Sequence, residues 1–120
     1  MQFSYVLIDG SQVIESTLES ISVYDAFMCV AVCKSRTASI NKILELKPDV
    51  VFMNISDASN QSEDAVRLSL LSELHEFLDE LPTIIVLSDV KEVAFDAYQR
   101  GVSGYLLQPI DDSELRKCLM

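Results

Sequence analysis

Four short polar stretches carry side chains that could do chemistry together: Asp9-Gly10-Ser11, Asn54-Ile55-Ser56-Asp57, Ser88-Asp89 and Gln108-Pro109. Each follows directly on an apolar run. Between them they supply carboxylates, hydroxyls and two amides, groups that hydrogen-bond an anion, help hold a cation or, for an aspartate, act as a nucleophile. Taken singly, each stretch is explained as the polar end of a strand that caps the next helix. Meeting in one place, Asp9, Asn54, Ser88 and Gln108 would form a pocket.

The thiols and the one imidazole point away from chemistry. Cys29, Cys33 and Cys118 are odd in number, and Cys29 and Cys33 sit four apart in an apolar, β-branched run. In a strand they would be roughly 13 Å apart at ~3.3 Å per residue, too far for a bridge. No Cys or His stands at metal-ligand spacing. Buried, reduced thiols and a cytoplasmic location are expected. His75, the only histidine, lies beside Leu71 and Leu78 at the edge of a helical apolar stripe, where a structural role is expected.

The elements that must position the polar ends are legible from periodicity. Five short apolar runs, Phe3–Ile8, Phe27–Val32, Val50–Met53, Thr83–Leu87 and Tyr105–Leu107, predict strands buried on both faces. The segments between them have helical period. Ser11 can cap a first helix with the inner stripe Ile14, Leu18 and Ile21; a second carries Ile40, Ile43, Leu44 and Leu46 and is stopped by Pro48. A third, from about Glu63 to Glu80, has the wide stripe Val66, Leu70, Leu74, Phe77, Leu78 and Leu81. Its breadth, with Leu68 and Leu71, reads as core burial ahead of a partner surface. A fourth, near Val90 to Arg100, uses Val93, Ala94, Ala97 and Tyr98, with Gly101 just past its end. The last begins at Asp111, with Glu114 completing a capping box, and holds Leu115, Cys118 and Leu119.

Strict alternation of strand and helix predicts an α/β domain: a parallel sheet, helices on both faces, right-handed crossovers. In such a sheet ligands bind outside the carboxyl ends of the strands. If strands 1, 3, 4 and 5 are neighbours, the four polar ends converge on one crevice.

Composition bounds the function. The chain has 120 residues, with 9 Lys+Arg against 19 Asp+Glu, a net charge of −10. That length closes one core, so residues 1–120 read as one domain, without linkers or repeats. No apolar run approaches the roughly 18–20 residues of a membrane span. Met1-Gln2-Phe3-Ser4-Tyr5 lacks the features of a signal peptide. The acidic balance excludes direct binding of nucleic acid, whose phosphates must be met by basic charge. The final helix reaches only about two turns before Met120, short for a globular helix, which suggests a C-terminal output domain missing from this chain.

Four segments carry a resemblance: Tyr5-Val6-Leu7-Ile8-Asp9, Leu46 through Asn54 (LKPDVVFMN), Thr83 through Ser88 (TIIVLS) and Gly101 through Ile110 (GVSGYLLQPI). In order and spacing the chain resembles a response-regulator receiver domain over almost its full length. The resemblance implies a flavodoxin-like (βα)5 three-layer sandwich with a five-stranded parallel sheet of order 2-1-3-4-5. It also implies transfer of a phosphoryl group from a kinase histidine to an aspartate ending strand 3. That chemistry uses a divalent cation held by the acceptor and an acidic pair after strand 1, and a lysine ending strand 5.

Carried over position by position, little of that apparatus is present. Asn54 stands at the phosphoacceptor position, Gly10 replaces the partner of Asp9 in the acidic pair, and Gln108 takes the place of the lysine. The Met-Pro that commonly follows the acceptor loop reads Asp57-Ala58. Ser88 at the hydroxyl switch position, Tyr105 at the aromatic switch position and Pro109, a cis-proline candidate, keep their type. The losses are coherent: removing only one member of an acceptor–lysine pair leaves an unpaired, partly buried charge at roughly 3–5 kcal/mol. Here both are neutral amides able to hydrogen-bond in place of the ion pair. Mg²⁺ binding is expected to be weak or absent, because one carboxylate is a poor host, Asp9 and Asp57 being at most weak ligands.

Two enzyme-like readings fit less well. Ile8-Asp9-Gly10-Ser11 superficially resembles the first-strand motif of haloacid-dehalogenase phosphatases, but the nucleophile would fall at Leu7 and the lysine at Gln108. A flavodoxin would need a phosphate loop richer than Gly10-Ser11. The expected function is therefore that of an atypical, phosphorylation-independent receiver without enzymatic activity or cofactor. It would control signalling or transcription through protein partners: self-association through the face of the fourth helix, fifth strand and last helix, where Tyr98 and Tyr105 sit, or contact with an output domain. The Leu106-Leu107-Gln108-Pro109-Ile110 ending resembles regulators with a LytTR-type DNA-binding domain. The alternative is weak phosphoryl or anion binding through a remodelled pocket of Asp9, Asp57 and Ser88.

Overall fold

The computed structural model describes residues 3–9, 21, 27–55, 68–88, 91–107, 111, 113, 114 and 117, with Asp9 as backbone only. The described elements run β1 (Phe3–Asp9), β2 (Phe27–Cys33), α1 (Arg36–Leu46), β3 (Val50–Asn54), α2 (Ser69–Phe77), β4 (Thr83–Ser88), α3 (Ala94–Gln99) and β5 (Gly104–Leu107). The strands form one sheet of order β2-β1-β3-β4-β5, as the resemblance implies, and every pairing is parallel. Strands 1, 3 and 4 each run one residue beyond the expected apolar stretch. Asp9, Asn54 and Ser88 are thus the last rungs of the sheet rather than loop residues, because the ladder continues past the apolar run: Ile55 N–H still donates to Leu87 O at 2.9 Å.

Period-two alternation divides the core between the two faces. Val6, Ile8, Val51, Met53, Ile84 and Val86 pack under the described helices, against Ile43 of α1, Leu70, Leu71 and Leu74 of α2, and Ala97 of α3. On the other face Tyr5, Leu7, Val50, Phe52, Ile85, Leu87 and Leu106 enclose Ile21, which is itself helical and fully buried. Tyr5 meets Phe52 edge-to-face at 5.4 Å, a favoured aromatic geometry. Helices thus lie on both faces, the three-layer arrangement expected from strand–helix alternation.

The amino ends of three strands are clipped by Asp49. Its Oδ2 accepts from Ser4 N–H at 2.8 Å, its own N–H donates to Ser4 O at 3.0 Å, and its carbonyl accepts from Thr83 N–H at 3.2 Å. This clip helps fix the register that aligns the strand ends at the far edge.

Helix limits follow local chemistry. Ser35 caps α1 by accepting from Ala38 N–H at 3.3 Å, and α1 ends with Lys47 in the left-handed region at φ 46°, its N–H bonding Ile43 O. A Cβ-bearing residue there is strained. Lys47→Gly should therefore stabilise the fold by about 0.5–1 kcal/mol. A rise in thermal midpoint is the expected readout; an unchanged or lower midpoint contradicts it. At the end of α3, Gly101 at φ 96° takes the expected position. Its N–H bonds Tyr98 O at 3.1 Å and the next N–H, of Val102, bonds Ala97 O at 3.4 Å. Asp111 caps the following helical turn as expected, its Oδ1 accepting from Ser113 and Glu114 N–H at 2.8 and 3.2 Å.

Several expectations need correction. β2 is an edge strand, and Val30 forms a bulge between the Tyr5–Cys29 and Val6–Ala31 pairs, which breaks the alternation. Met28, Cys29 and Val32 are consequently exposed, so Cys29 is not the buried thiol expected, whereas Cys33 is buried. α2 stops at Phe77, short of Glu80, because the chain must turn into β4 and Leu81 precedes Pro82, which disfavours helix. Phe77 is therefore exposed instead of core. Leu71 is buried, in keeping with a core role. α3 is shorter than expected, and Tyr98 and Leu107 are exposed. The first-helix positions Ile14 and Leu18, and also Val66, Leu115, Cys118 and Leu119, lie outside the described residues.

Candidate functional site

The carboxyl edge of the sheet brings three of the predicted residues onto adjacent strands. Asp9 is the register partner of Asn54, and Asn54 is the partner of Leu87, one residue before Ser88. Asn54 is 3% exposed and Ser88 1% exposed, and neither is without an interaction partner. Buried amides and hydroxyls persist only when satisfied, in keeping with a partner for each at the end of the sheet. Alternation gives Asn54 the face of Val50 and Phe52, and Ser88 the face of Ile84 and Val86. The two reach the edge from opposite sides of the pleat.

Tyr105 lies on the same face as Ser88. It is the register partner of Val86, two residues before Ser88, and is half-buried against the cluster under the helices, with an interaction of its own. The hydroxyl and aromatic positions are thus neighbours across β4 and β5. Gly10, Ser11, Asp57, Asp89, Gln108 and Pro109 lie outside the described residues. The last described residue of β5, Leu107, is the register partner of Ser88, and Gln108 follows it in sequence.

Among the described residues, two titrating groups are clearly altered by folding. Burial, reinforced by the neighbouring Cys29, pushes the Tyr5 phenol up to about 12. A raised phenol pKa makes ionisation oppose folding: the stability is fully present below pH ~10, the unfolded value, and is lost between there and the folded value. Alkaline denaturation should show that loss, and Tyr5→Phe should flatten the dependence across this window. An equal slope in the variant contradicts the assignment. The Cys33 thiol is also pushed up, chiefly by burial and against the opposing pull of Lys42, which keeps it protonated and unreactive.

His75 has the structural role expected of it. Its Nε2 lies 3.3 Å from the carbonyl of Arg100, and the Arg100 side chain reaches Asp96 at 3.1 Å and Ser72 at 3.3 Å, tying α2 to α3. Sequence reasoning missed Phe95, which is 74% exposed on α3. Arg100 reaches Asp96 and Ser72 of α2, and on the helical wheel Phe95 and Tyr98 fall on the other flank of α3; Leu107 on β5 is exposed too. The i, i+3 spacing of two aromatics is the signal, which the inner stripe expected through Tyr98 obscures.

Among the described residues no group of three or more His, Cys, Asp or Glu could hold a metal ion, and no helix is long and apolar enough to cross a membrane.

Comparisons with known proteins bear on this edge. No family model matches the chain. An uncharacterized response regulatory protein of Yersinia pestis is 30% identical over 115 residues, 95% of this chain and 45% of that protein. The transcriptional regulatory protein BtsR of Escherichia coli strain K12 is 30% identical over 75% of this chain, 35% of its own length. Among solved structures, the signal receiver domain of the response regulator NarL from Mycobacterium tuberculosis superposes with a TM-score of 0.79. That match covers 98% of this chain and 93% of the other at 17% identity, and supports the flavodoxin-like fold. The chain spans less than half the length of these curated relatives.

Proposed function

The chain belongs to the response-regulator receiver family of two-component signalling, and from that membership we propose that it works without phosphorylation, through protein–protein contact. The observation that carries this reading is Asn54: a neutral amide, 3% exposed and partnered, at the end of β3 where the family's acceptor carboxylate stands. An amide oxygen does not form an acyl phosphate, and phosphoryl transfer depends on cationic groups that neutralise charge on the transferring group. Gly10 and Gln108 supply neither the second carboxylate nor the ammonium. The donor set does not fit Mg²⁺, which requires several hard, ionised oxygens.

The contact surface that best supports this function is the apolar flank of α3 and β5. Phe95 and Tyr98 on α3 are 74% and 51% exposed, Leu107 on β5 is exposed as well, and aromatic side chains of this kind anchor interfaces. This flank is proposed to mediate self-association, and, in a longer protein of the kind its relatives represent, to control an attached output module. Analytical ultracentrifugation tests both halves. Self-association should be unchanged by acetyl phosphate with Mg²⁺. It should weaken about thirty-fold in Phe95→Ala/Tyr98→Ala, as loss of an aromatic hot spot does. A monomer at every concentration overturns the self-association; dependence on the phosphodonor overturns the phosphorylation independence.

A further inference from the structure

We propose that the groove at the amino-terminal end of the sheet, between the carboxyl ends of α1 and α2, docks a basic amphipathic helix of a partner protein. The groove encloses about 620 Å³, a volume in the range of pre-formed binding sites. It lies opposite the Asn54 edge and does not depend on how that edge works. Its lining is mixed, and the apolar part, taken as the floor, is supplied by Ile43, Leu44, Leu78, Leu81 and Pro82. Phe77 stands over it. On the helical wheel Phe77 shares the azimuth of the buried Leu70 and Leu74, yet it is 58% exposed. Phe77 ends α2 and lines the groove, so an apolar ring stands exposed at its edge.

The rim selects the partner. Asp49, Asp79 and Glu80 line the groove with Lys47 as the one cation among them. Asp49 already receives the Ser4 N–H, which leaves Asp79 and Glu80 as the acidic lip beside Phe77. An apolar floor with an acidic lip, on a chain of net charge −10, is complementary to a helix whose apolar face is flanked by Lys or Arg. The floor supplies affinity by burial of the partner's anchor side chains, and the lip supplies orientation and rejects acidic segments.

The test uses the whole chain, labelled with ¹⁵N, titrated with a synthetic helical peptide of Leu, Phe and Lys and with its counterpart carrying Glu for Lys. The basic peptide should shift the amides of Ile43–Asp49 and Phe77–Thr83 saturably, and the acidic peptide should not. Phe77→Ala should weaken binding about thirty-fold, and Asp79→Lys/Glu80→Lys about ten-fold. Glu92→Lys/Glu114→Lys, an equal charge change away from the groove, should leave the affinity within two-fold. Shifts centred elsewhere, or equal weakening by both charge reversals, overturn the proposal in favour of diffuse attraction. Concentration-dependent shifts of the groove amides without peptide overturn it in favour of a second copy of the chain. Far-ultraviolet circular dichroism of each variant establishes that it is folded before titration.

Discussion

At neutral pH the Asn54→Asp variant should unfold with about 3 kcal/mol less free energy than the wild type, the cost of an ionised group left buried without a counter-charge. Asn54 is almost fully enclosed at the end of β3, with Asp9 as its register partner on β1. A carboxylate there loses hydration, which raises its pKa. The sign of the pH dependence follows. With a folded-state pKa above the unfolded value of about 3.9, the deficit is absent below that value and grows as pH rises through the folded value. Urea denaturation at neutral pH and near pH 4 checks this. A variant as stable as wild type at neutral pH, or one whose deficit widens on acidification, contradicts the view of the edge as an uncharged network.

The second large effect concerns chemistry. Treated with acetyl phosphate and Mg²⁺, Asn54→Asp alone should gain no stable adduct, whereas Gly10→Asp/Asn54→Asp/Gln108→Lys should gain one of about 80 Da. The single variant provides a nucleophile but leaves the acid at Gly10 and the ammonium at Gln108 missing. Phosphoryl transfer draws its rate from positioning and from neutralising charge on the transferring group, so a nucleophile without those partners is inert. The triple variant also supplies an ammonium at position 108 as a counter-charge for the acceptor carboxylate, and part of the stability lost in the single variant should return. Efficient labelling of the single variant contradicts the argument, because it would mean that Gly10 and Gln108 are not what silences the site.

How much of this was legible in the sequence varies with the kind of signal. The five strands were visible because apolar runs such as Val50–Met53 and Thr83–Leu87 are buried on both faces and so appear as unbroken hydrophobicity. The polar strand ends were legible too, but not how far the ladder runs: the backbone bonds make Asn54 and Ser88 rungs of the sheet itself. The second strand misled because its composition resembles that of a central strand, whereas its edge position and the bulge at Val30 expose Met28, Cys29 and Val32. Phe77 and Tyr98 misled differently. A helical wheel gives direction but not how far the core extends along the axis, and Phe77 overhangs the end of the sheet while Tyr98 flanks a helix of six residues. The identity of the strand-end residues was legible from the first, and their placement as adjacent rungs on β1, β3 and β4 required the register.

The central claim is that this crevice lacks the charges needed to receive a phosphoryl group. Intact mass of the wild-type chain after incubation with acetyl phosphate and Mg²⁺ tests it most directly. The expected spectrum is that of the unmodified protein. A stoichiometric adduct of about 80 Da, stable in acid and labile in base as an acyl phosphate is, would contradict the claim.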